Sequence, residues 1–190
     1  ELCKKMPLLF QNKVIIYRLI MGILSGNPKE EPMHYGEVFG VWSYLLTAKG
    51  LLSGYQTLLN HTGDEDLKHF IEDSIENVLK PEIQETEALL KENGVALPPS
   101  PPERPKACLE DIPAGARFTD PEIAAMLSKD IAEGLVACST IMGQCIREDI
   151  ALMYGQFHMK KAQYGAKLLR MNKEKGWLVP PPLNVKNSNC

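Results

Sequence analysis

The chain has 190 residues, of which 44% are hydrophobic and 24% charged, and its formal net charge is −3. These values are typical of one soluble domain that buries an apolar core. The small negative charge argues against nucleic acid as a partner, because phosphate binding needs a basic surface. The five cysteines include no C-x-x-C pair, which indicates reduced, partly buried thiols in a reducing compartment.

The first twenty residues contain short apolar runs that polar residues interrupt. Gln11, Asn12 and Lys13 separate two of these runs. Neither run approaches the ~20 apolar residues that span a bilayer, and no small-residue cleavage site follows. We therefore expect no membrane span and no recognisable signal peptide for secretion. We interpret residues 1–20 as an upstream extension outside the fold, with a natural start at Met21.

The first helical pattern runs from about residue 34 to 62. Its apolar residues recur at alternating steps of three and four, which places them along one side of a helix. They are Val38, Val41, Leu45, Ala48, Leu52, Tyr55 and Leu59, with Phe39, Trp42 and Leu46 beside them. Gly63 is a candidate C-cap and Asp64 a candidate N-cap, so a short turn makes the first two helices antiparallel neighbours.

The second pattern runs from about residue 65 to 93 and ends at Gly94. Its inward positions are Leu67, Ile71, Ile75, Val78 and Leu79. Pro81 interrupts the pattern. Because proline lacks an N–H and clashes with the preceding turn, we expect a kink or a short break there. Residues 94–118 then hold six prolines and predict an extended connection.

The third pattern starts at Thr119 or Asp120, and the fourth starts near Arg147 without a Gly or Pro to mark the turn. The inward residues of these two helices are Ala124, Leu127, Ile131, Leu135, Cys138, Met142 and Cys145, then Ile150, Met153, Tyr154, Phe157, Tyr164, Leu168 and Met171. Gly176 ends the fourth helix, and we expect Trp177 to fold back and close one end of the bundle.

Two helix hairpins joined by one long connection predict an all-α fold. A four-helix bundle with a long Pro-rich crossover between helices two and three has the ferritin-like topology. An up-down bundle with a disordered linker is the alternative. We assign residues 21–183 to the bundle and residues 184–190 to a flexible tail.

Several stretches of the chain resemble one family. They are MGILSGNPKEEPMHYGEVFGVWSYLLTAKG, P-E-I-x-E-x-E-x-L-L-K-E-N-G-V-x-L-P, R-E-D, and F-H-M-K-K-A-Q-Y-G followed by K-G-W-L-V-P-P-P. Together, over residues 21–183, they resemble the domain-of-unknown-function 3231 family of endospore-forming, Bacillus-like bacteria. Its members look ferritin-like, some carry spore coat names, and the spore coat protein F family is a more distant likeness. The resemblance implies a cytoplasmic or spore-associated protein whose partners are other spore proteins, with a homodimer left open.

A ferritin-like bundle raises the question of a metal site. The two-metal site of such bundles takes a Glu from each of two helices and Glu-x-x-His from the other two. In one helical register Glu82 and Glu85 face the core, with Glu37 close by on the first helix. In the other register both lie near solvent, and we interpret them as a solvated acidic face. A cluster of the three glutamates would bind iron or manganese.

Histidines in the required pattern are scarce. His158 is preceded at the i−3 position by Gly155 and not by an acid, so we interpret it as a partly buried, hydrogen-bonded residue and, second, as a ligand. Asp66 and His69 have the spacing, but they lie in the first turn of a helix, where Asp66 favours the helix dipole. The expected cofactor is therefore none, with iron or manganese as the lesser alternative.

No nucleotide-binding, hydrolase or zinc-protease motif is present in the sequence. Cys138 and Cys145 lie on an apolar helix face and are predicted to pack in the core. Our first hypothesis is a non-enzymatic bundle that acts in sporulation. The alternatives are a ferritin-like metal-binding protein or oxidase with a degenerate carboxylate site, and an adaptor that binds proteins through its Pro-rich segments.

Overall fold

The computed structural model describes residues 31–184 as an all-α bundle, with no strand in that range. In chain order the helices are α1 (Tyr35–His61), α2 (Glu65–Ser74), α3 (Lys80–Glu92), α4 (Asp120–Gln144) and α5 (Glu148–Glu174). A π-helical turn, Ile75–Leu79, joins α2 to α3 in one rod. The prediction of an all-α bundle of four helical rods is confirmed, whereas the ferritin-like relationship stays a prediction.

Three predictions made from the sequence lie wholly or mostly outside the described residues. They are the extension at residues 1–20, the start at Met21 and the tail at residues 184–190, of which residue 184 alone is described.

The helix ends follow the capping signals of the sequence, with one exception. The Asp64 side chain accepts hydrogen bonds from the first turn of α2, at 3.0 and 3.1 Å. Gly176 ends α5 in the left-handed conformation, with a φ of 71°. Gly63 does not cap α1 as expected, because Thr62 is the C-cap in an extended conformation. The N–H of Gly63 instead donates to the Asp120 carboxylate at 2.9 Å, which ties the first turn to the start of α4.

The break expected at Pro81 is present as the π-helical turn just before it. In this turn the N–H of Lys80 reaches back five residues to the carbonyl of Ile75. A proline ring clashes with the carbonyl four residues earlier in a regular helix. The wider π turn relieves that clash, so the rod continues into α3. A π turn contains one residue more than an α-helical turn. The side chains after Leu79 are therefore rotated around the helix axis, relative to the positions that the apolar spacing of α2 predicts.

The Pro-rich crossover packs along the outside of α1. Because prolines lack an N–H, this segment cannot form a regular helix or strand pairing, and its carbonyls lack backbone donors. Side chains of α1 donate to them instead. The α1 donors, each with its acceptor carbonyl, are Trp42 on Ala96, Lys49 on Pro98 and Asn60 on Pro105. These contacts follow α1 from its first turns to its last, so the crossover returns the chain to the end of the bundle where α1 stops and α4 begins.

The buried apolar residues form two separate clusters, one toward each end of the bundle. One cluster is Tyr55, Leu58, Leu67, Phe70, Ile71, Ile75, Val78, Leu79, Ile123, Ala124, Leu127, Tyr164 and Leu168. The other is Val41, Tyr44, Leu45, Ala48, Leu89, Leu90, Cys138, Ile141, Ile150, Tyr154 and Phe157. We call the layer between them the waist, and define it by Glu82, Thr86, Gly134 and Lys161. Phe39 and Leu46, expected beside the core, are 72% and 42% exposed.

Candidate functional site

A buried ion pair occupies the waist. Glu82 of α3 is 1% exposed, and both of its carboxylate oxygens accept from Lys161 Nζ of α5, with Oε1 at 2.8 Å. Tyr44 of α1 donates its hydroxyl to Glu82 Oε2 at 2.7 Å. Burying a carboxylate is costly unless it is paired and hydrogen-bonded. The ammonium and the phenol meet both requirements, and they link three rods through one carboxylate.

Lys161 lies on the buried face of α5. Tyr154, Phe157 and Tyr164 belong to the same face, so the lysine points inward with them. Gly134 of α4 leaves room for its stem, because a Cβ at that position would lie 2.9 Å from Lys161 Cδ. An alanine there would displace the lysine side chain and weaken its contact with Glu82.

The groups around the ion pair are held in their protonated forms. Burial, followed by the charge of Glu82, raises the pKa of Tyr44 above its ordinary value. Cys138 Sγ lies 3.9 Å from the Tyr44 hydroxyl oxygen, and burial raises the pKa of this thiol to about 11. Since the thiolate and not the thiol is the nucleophile, Cys138 is unreactive at neutral pH.

Glu37 belongs to a second polar cluster, at the end of the bundle where α1 begins. It is 1% exposed, and its Oε1 accepts from the backbone N–H groups of Ile146 and Arg147, at 2.8 and 2.9 Å. Its Oε2 accepts from the N–H of His34 at 3.0 Å, as part of a capping box. The carboxylate therefore joins the start of α1 to the turn before α5.

Arg147 extends this end cluster to two further segments. It is 4% exposed and donates to Asn93 Oδ1 at 2.7 Å, after the end of α3. It also donates to the backbone carbonyl of Glu31 at 3.2 Å, and pairs with Asp149 at 2.7 Å. The R-E-D stretch thus locks the α4–α5 turn onto the rest of the bundle.

The structure does not bring the four candidate ligands together. Glu82 is in the waist, Glu37 is in the end cluster, Glu85 is exposed, and His158 is half-buried beside the inward face of α5. Neither of the two helical registers predicted from the sequence applies to the whole rod. The π turn shifts the inward-facing positions, so that Glu82 and Thr86 are both buried. Within residues 31–184 no three His, Cys, Asp or Glu side chains are placed to hold a metal ion. These residues do not fit the two-metal pattern.

The sequence reasoning missed Lys161 and Arg147. A signal for Lys161 was available, since it interrupts the apolar face of α5 as Glu82 interrupts that of α3. Two opposite charges on inward faces indicate a buried pair. Arg147 had a weaker signal, because an arginine before a helix start is ordinarily a solvated residue.

A cavity of about 390 Å³ opens at the waist between α1 and α4. The ion pair forms part of its lining, together with residues of all four rods. Small side chains on the two facing helices leave the space open. They are Gly40, Ser43, Thr47 and Ala48 of α1, and Gly134, Ala137 and Thr140 of α4. The waist therefore combines an ion pair that is internally satisfied with a space that protein atoms do not fill.

The chain is similar to a known family and to proteins of two Bacillus species. The family described as "Protein of unknown function (DUF3231)" matches residues 21–189. The uncharacterized protein YvdQ of Bacillus subtilis (strain 168) is 61% identical over 165 residues, which is 87% of this chain and 96% of that protein. A crystal structure from Bacillus halodurans C-125, named a "putative spore coat protein", is 59% identical with a TM-score of 0.82. It covers 84% of this chain, and this chain covers all of that one.

No helix within residues 31–184 is both long and apolar enough to cross a membrane.

Proposed function

We propose that this chain, which belongs to the DUF3231 family of unknown function, is a non-enzymatic helical-bundle protein associated with the spore. The observation that carries the non-enzymatic part is how the bundle uses Glu82 and Glu37, each of which is 1% exposed. Glu82 is bound by Lys161 and Tyr44, and Glu37 is bound by backbone N–H groups. The spore coat name of the similar Bacillus halodurans protein supports the association with the spore.

Carboxylates that act on a substrate or hold a metal need lone pairs directed at that group. Both oxygens of Glu82 face the ammonium of Lys161, and both oxygens of Glu37 accept from the backbone. A metal ion could bind Glu82 only by displacing Lys161 from both carboxylate oxygens. The two carboxylates are therefore better suited to holding rods together than to chemistry.

Metal content tests the non-enzymatic proposal. The full chain, purified without chelator or affinity metal, is analysed for iron, manganese and zinc by plasma mass spectrometry. We expect substoichiometric metal that does not increase after reloading. Stoichiometric metal that is lost in Glu82→Gln and retained in Glu85→Gln would overturn the proposal. Glu85→Gln is the matched control, because it removes the same charge three residues later from an exposed position.

The association with the spore needs a separate experiment. A tagged chain is expressed from its own promoter in a sporulating Bacillus host, and purified spores are separated into coat and interior fractions. We expect the tagged chain in a spore fraction, released with the coat or with the interior. Its confinement to the vegetative cells or the mother-cell lysate would refute the association. This result is independent of the metal analysis.

The adaptor alternative is less well supported by the geometry. Proline-rich ligands are recognised as extended segments that lie in an aromatic groove of the partner. Here the crossover already lies against α1, where Lys49 and Asn60 donate to its carbonyls. A partner would have to take this segment away from α1.

A further inference from the structure

The size of the waist cavity is in the range of ligand sites. An apolar cavity of roughly 150 Å³ holds a benzene molecule, and ligand pockets have volumes of about 300–1,000 Å³. At about 390 Å³ the waist cavity has room for a ring with a short chain. Facing helices ordinarily pack closely, so an open space of this size between α1 and α4 needs an explanation.

Most of the cavity wall is apolar. The apolar side chains that line it are Leu51, Val78, Leu79, Ile131, Ala137 and Ile141. Water next to these side chains finds no hydrogen-bond partner in them, whereas contact with an apolar group is favourable. The walls therefore favour a ligand with an apolar body.

Two polar groups on the wall are not used by the protein itself. Tyr55 of α1 is 6% exposed, Asp130 of α4 is half-buried, and neither side chain makes a hydrogen bond or ion pair within residues 31–184. Both side chains line the cavity, and the charge of Asp130 adds to the effect of burial in raising the pKa of Tyr55. Lys129, the neighbour that could neutralise Asp130, pairs instead with Glu133 at 2.7 Å.

The sign of the free charge decides which ligand fits. Glu82 pairs with Lys161 and Glu133 pairs with Lys129, and so the unpaired charge on the cavity wall is the negative one of Asp130. Partial burial removes part of the hydration shell of that carboxylate and raises its pKa. A ligand carboxylate would be repelled by Asp130, and would reach Lys161 only by displacing Glu82. A ligand ammonium would find an acceptor in Asp130 and a second oxygen in Tyr55.

We propose that the waist cavity is a binding site for a small amphiphilic amine, in which an apolar body fills the space between α1 and α4 and the ammonium group binds Asp130. The site goes beyond the proposed structural role. It needs neither a metal nor the spore, so it can be present or absent whatever those experiments show.

The test is isothermal titration calorimetry of the full chain with three probes of one shape. They are 4-phenylbutylamine, 4-phenylbutanol and 4-phenylbutyrate. A hydrogen bond to a charged group is worth enough to change an affinity by about 10-fold or more. We expect the amine to bind at least about 10-fold more tightly than the alcohol, and the acid to bind more weakly still. Absence of amine binding, or an acid that binds as tightly as the amine, would overturn the proposal.

Three variants locate the site. Asp130→Asn keeps the shape of the side chain and should lower the affinity for the amine by about 10-fold or more. Glu85→Gln is the control, because it removes a carboxylate from an exposed position that does not line the cavity, and it should leave the affinity nearly unchanged. Ala137→Leu fills the cavity and should abolish binding while the protein stays folded. Amine binding that withstands both Asp130→Asn and Ala137→Leu would place the ligand elsewhere and refute the proposal.

Discussion

Replacing Glu82 by glutamine removes the negative charge that both Lys161 and Tyr44 bind. Glutamine has nearly the same shape as glutamate, but it offers one acceptor oxygen to two donors and places an amide where an oxygen was. Lys161 is 8% exposed, so water cannot fully replace the lost partner. The substitution therefore leaves an ammonium group buried at the waist without its counter-charge.

The expected loss follows from the burial of the pair. Breaking a buried ion pair by removing one partner costs about 3–5 kcal/mol, which is a large part of the 5–15 kcal/mol that stabilises a typical domain. For a chain of this length, 1 kcal/mol lowers Tm by about 2–4 °C. The predicted fall in Tm for Glu82→Gln is thus roughly 6–20 °C.

Urea unfolding followed by circular dichroism, with a thermal scan, measures this loss against two controls. Glu85→Gln removes the same charge from an exposed position and should change the free energy of unfolding by less than about 0.5 kcal/mol. The double variant Glu82→Gln with Lys161→Met removes both charges and should recover part of the loss, because it eliminates the stranded ammonium and leaves only an uncharged amide at the waist.

Two results would refute this account of the waist. One is a Glu82→Gln protein as stable as Glu85→Gln, which would mean that the pair is solvated in solution. The other is a double variant no more stable than Glu82→Gln, which would mean that the loss comes from the carboxylate alone and not from the stranded ammonium.

Other parts of the molecule lead to three further predictions. Trp177→Ala should lower the free energy of unfolding by about 2 kcal/mol, because Trp177 is half-buried against the apolar cluster at its end of the bundle. That value is about half the loss for a fully buried tryptophan. Urea unfolding measures it, and an unchanged midpoint would contradict the prediction. Iodoacetamide should label exposed Cys108 long before buried Cys138, whose pKa is raised to about 11, as peptide mapping by mass spectrometry would show. Arg147 holds the pKa of Asp149 below its ordinary value of 3.8, so the ion pair stabilises the fold above that pH. The difference in urea midpoint between wild type and Asp149→Asn should therefore close as the pH falls below 3.8, and a difference that persists in acid would contradict it.

Much of the fold could be predicted because its signals are local. Helix caps such as Asp64 and the glycine stop at Gly176 act through hydrogen bonds and dihedral angles within a few residues. The three-and-four spacing of apolar residues likewise reports on one helix at a time. These signals were sufficient for four rods, their approximate ends and the long crossover.

The candidate site was predicted less well, because the contacts that form it are long-range. Glu82 and Lys161 are 79 residues apart, and Glu37 and Arg147 are 110 apart. The sequence therefore predicts metal ligands or a solvated acidic face for these glutamates, whereas Glu82 is half of an ion pair and Glu37 accepts from the turn before α5. The sequence near Pro81 does not predict which residues after it face the core. A kink, a break and a π turn can each accommodate the proline ring, and each turns different residues toward the core.

The sequence by itself determined the secondary structure and the class of fold, because capping, proline and helical periodicity act over one or two turns. The tertiary structure alone decided what the polar residues inside the bundle do. Whether a buried glutamate binds a metal, meets solvent or pairs with a lysine depends on which side chain a distant helix places against it. The cavity at the waist has the same origin, because small residues on α1 and on α4 leave an unfilled space only when the two helices are set face to face.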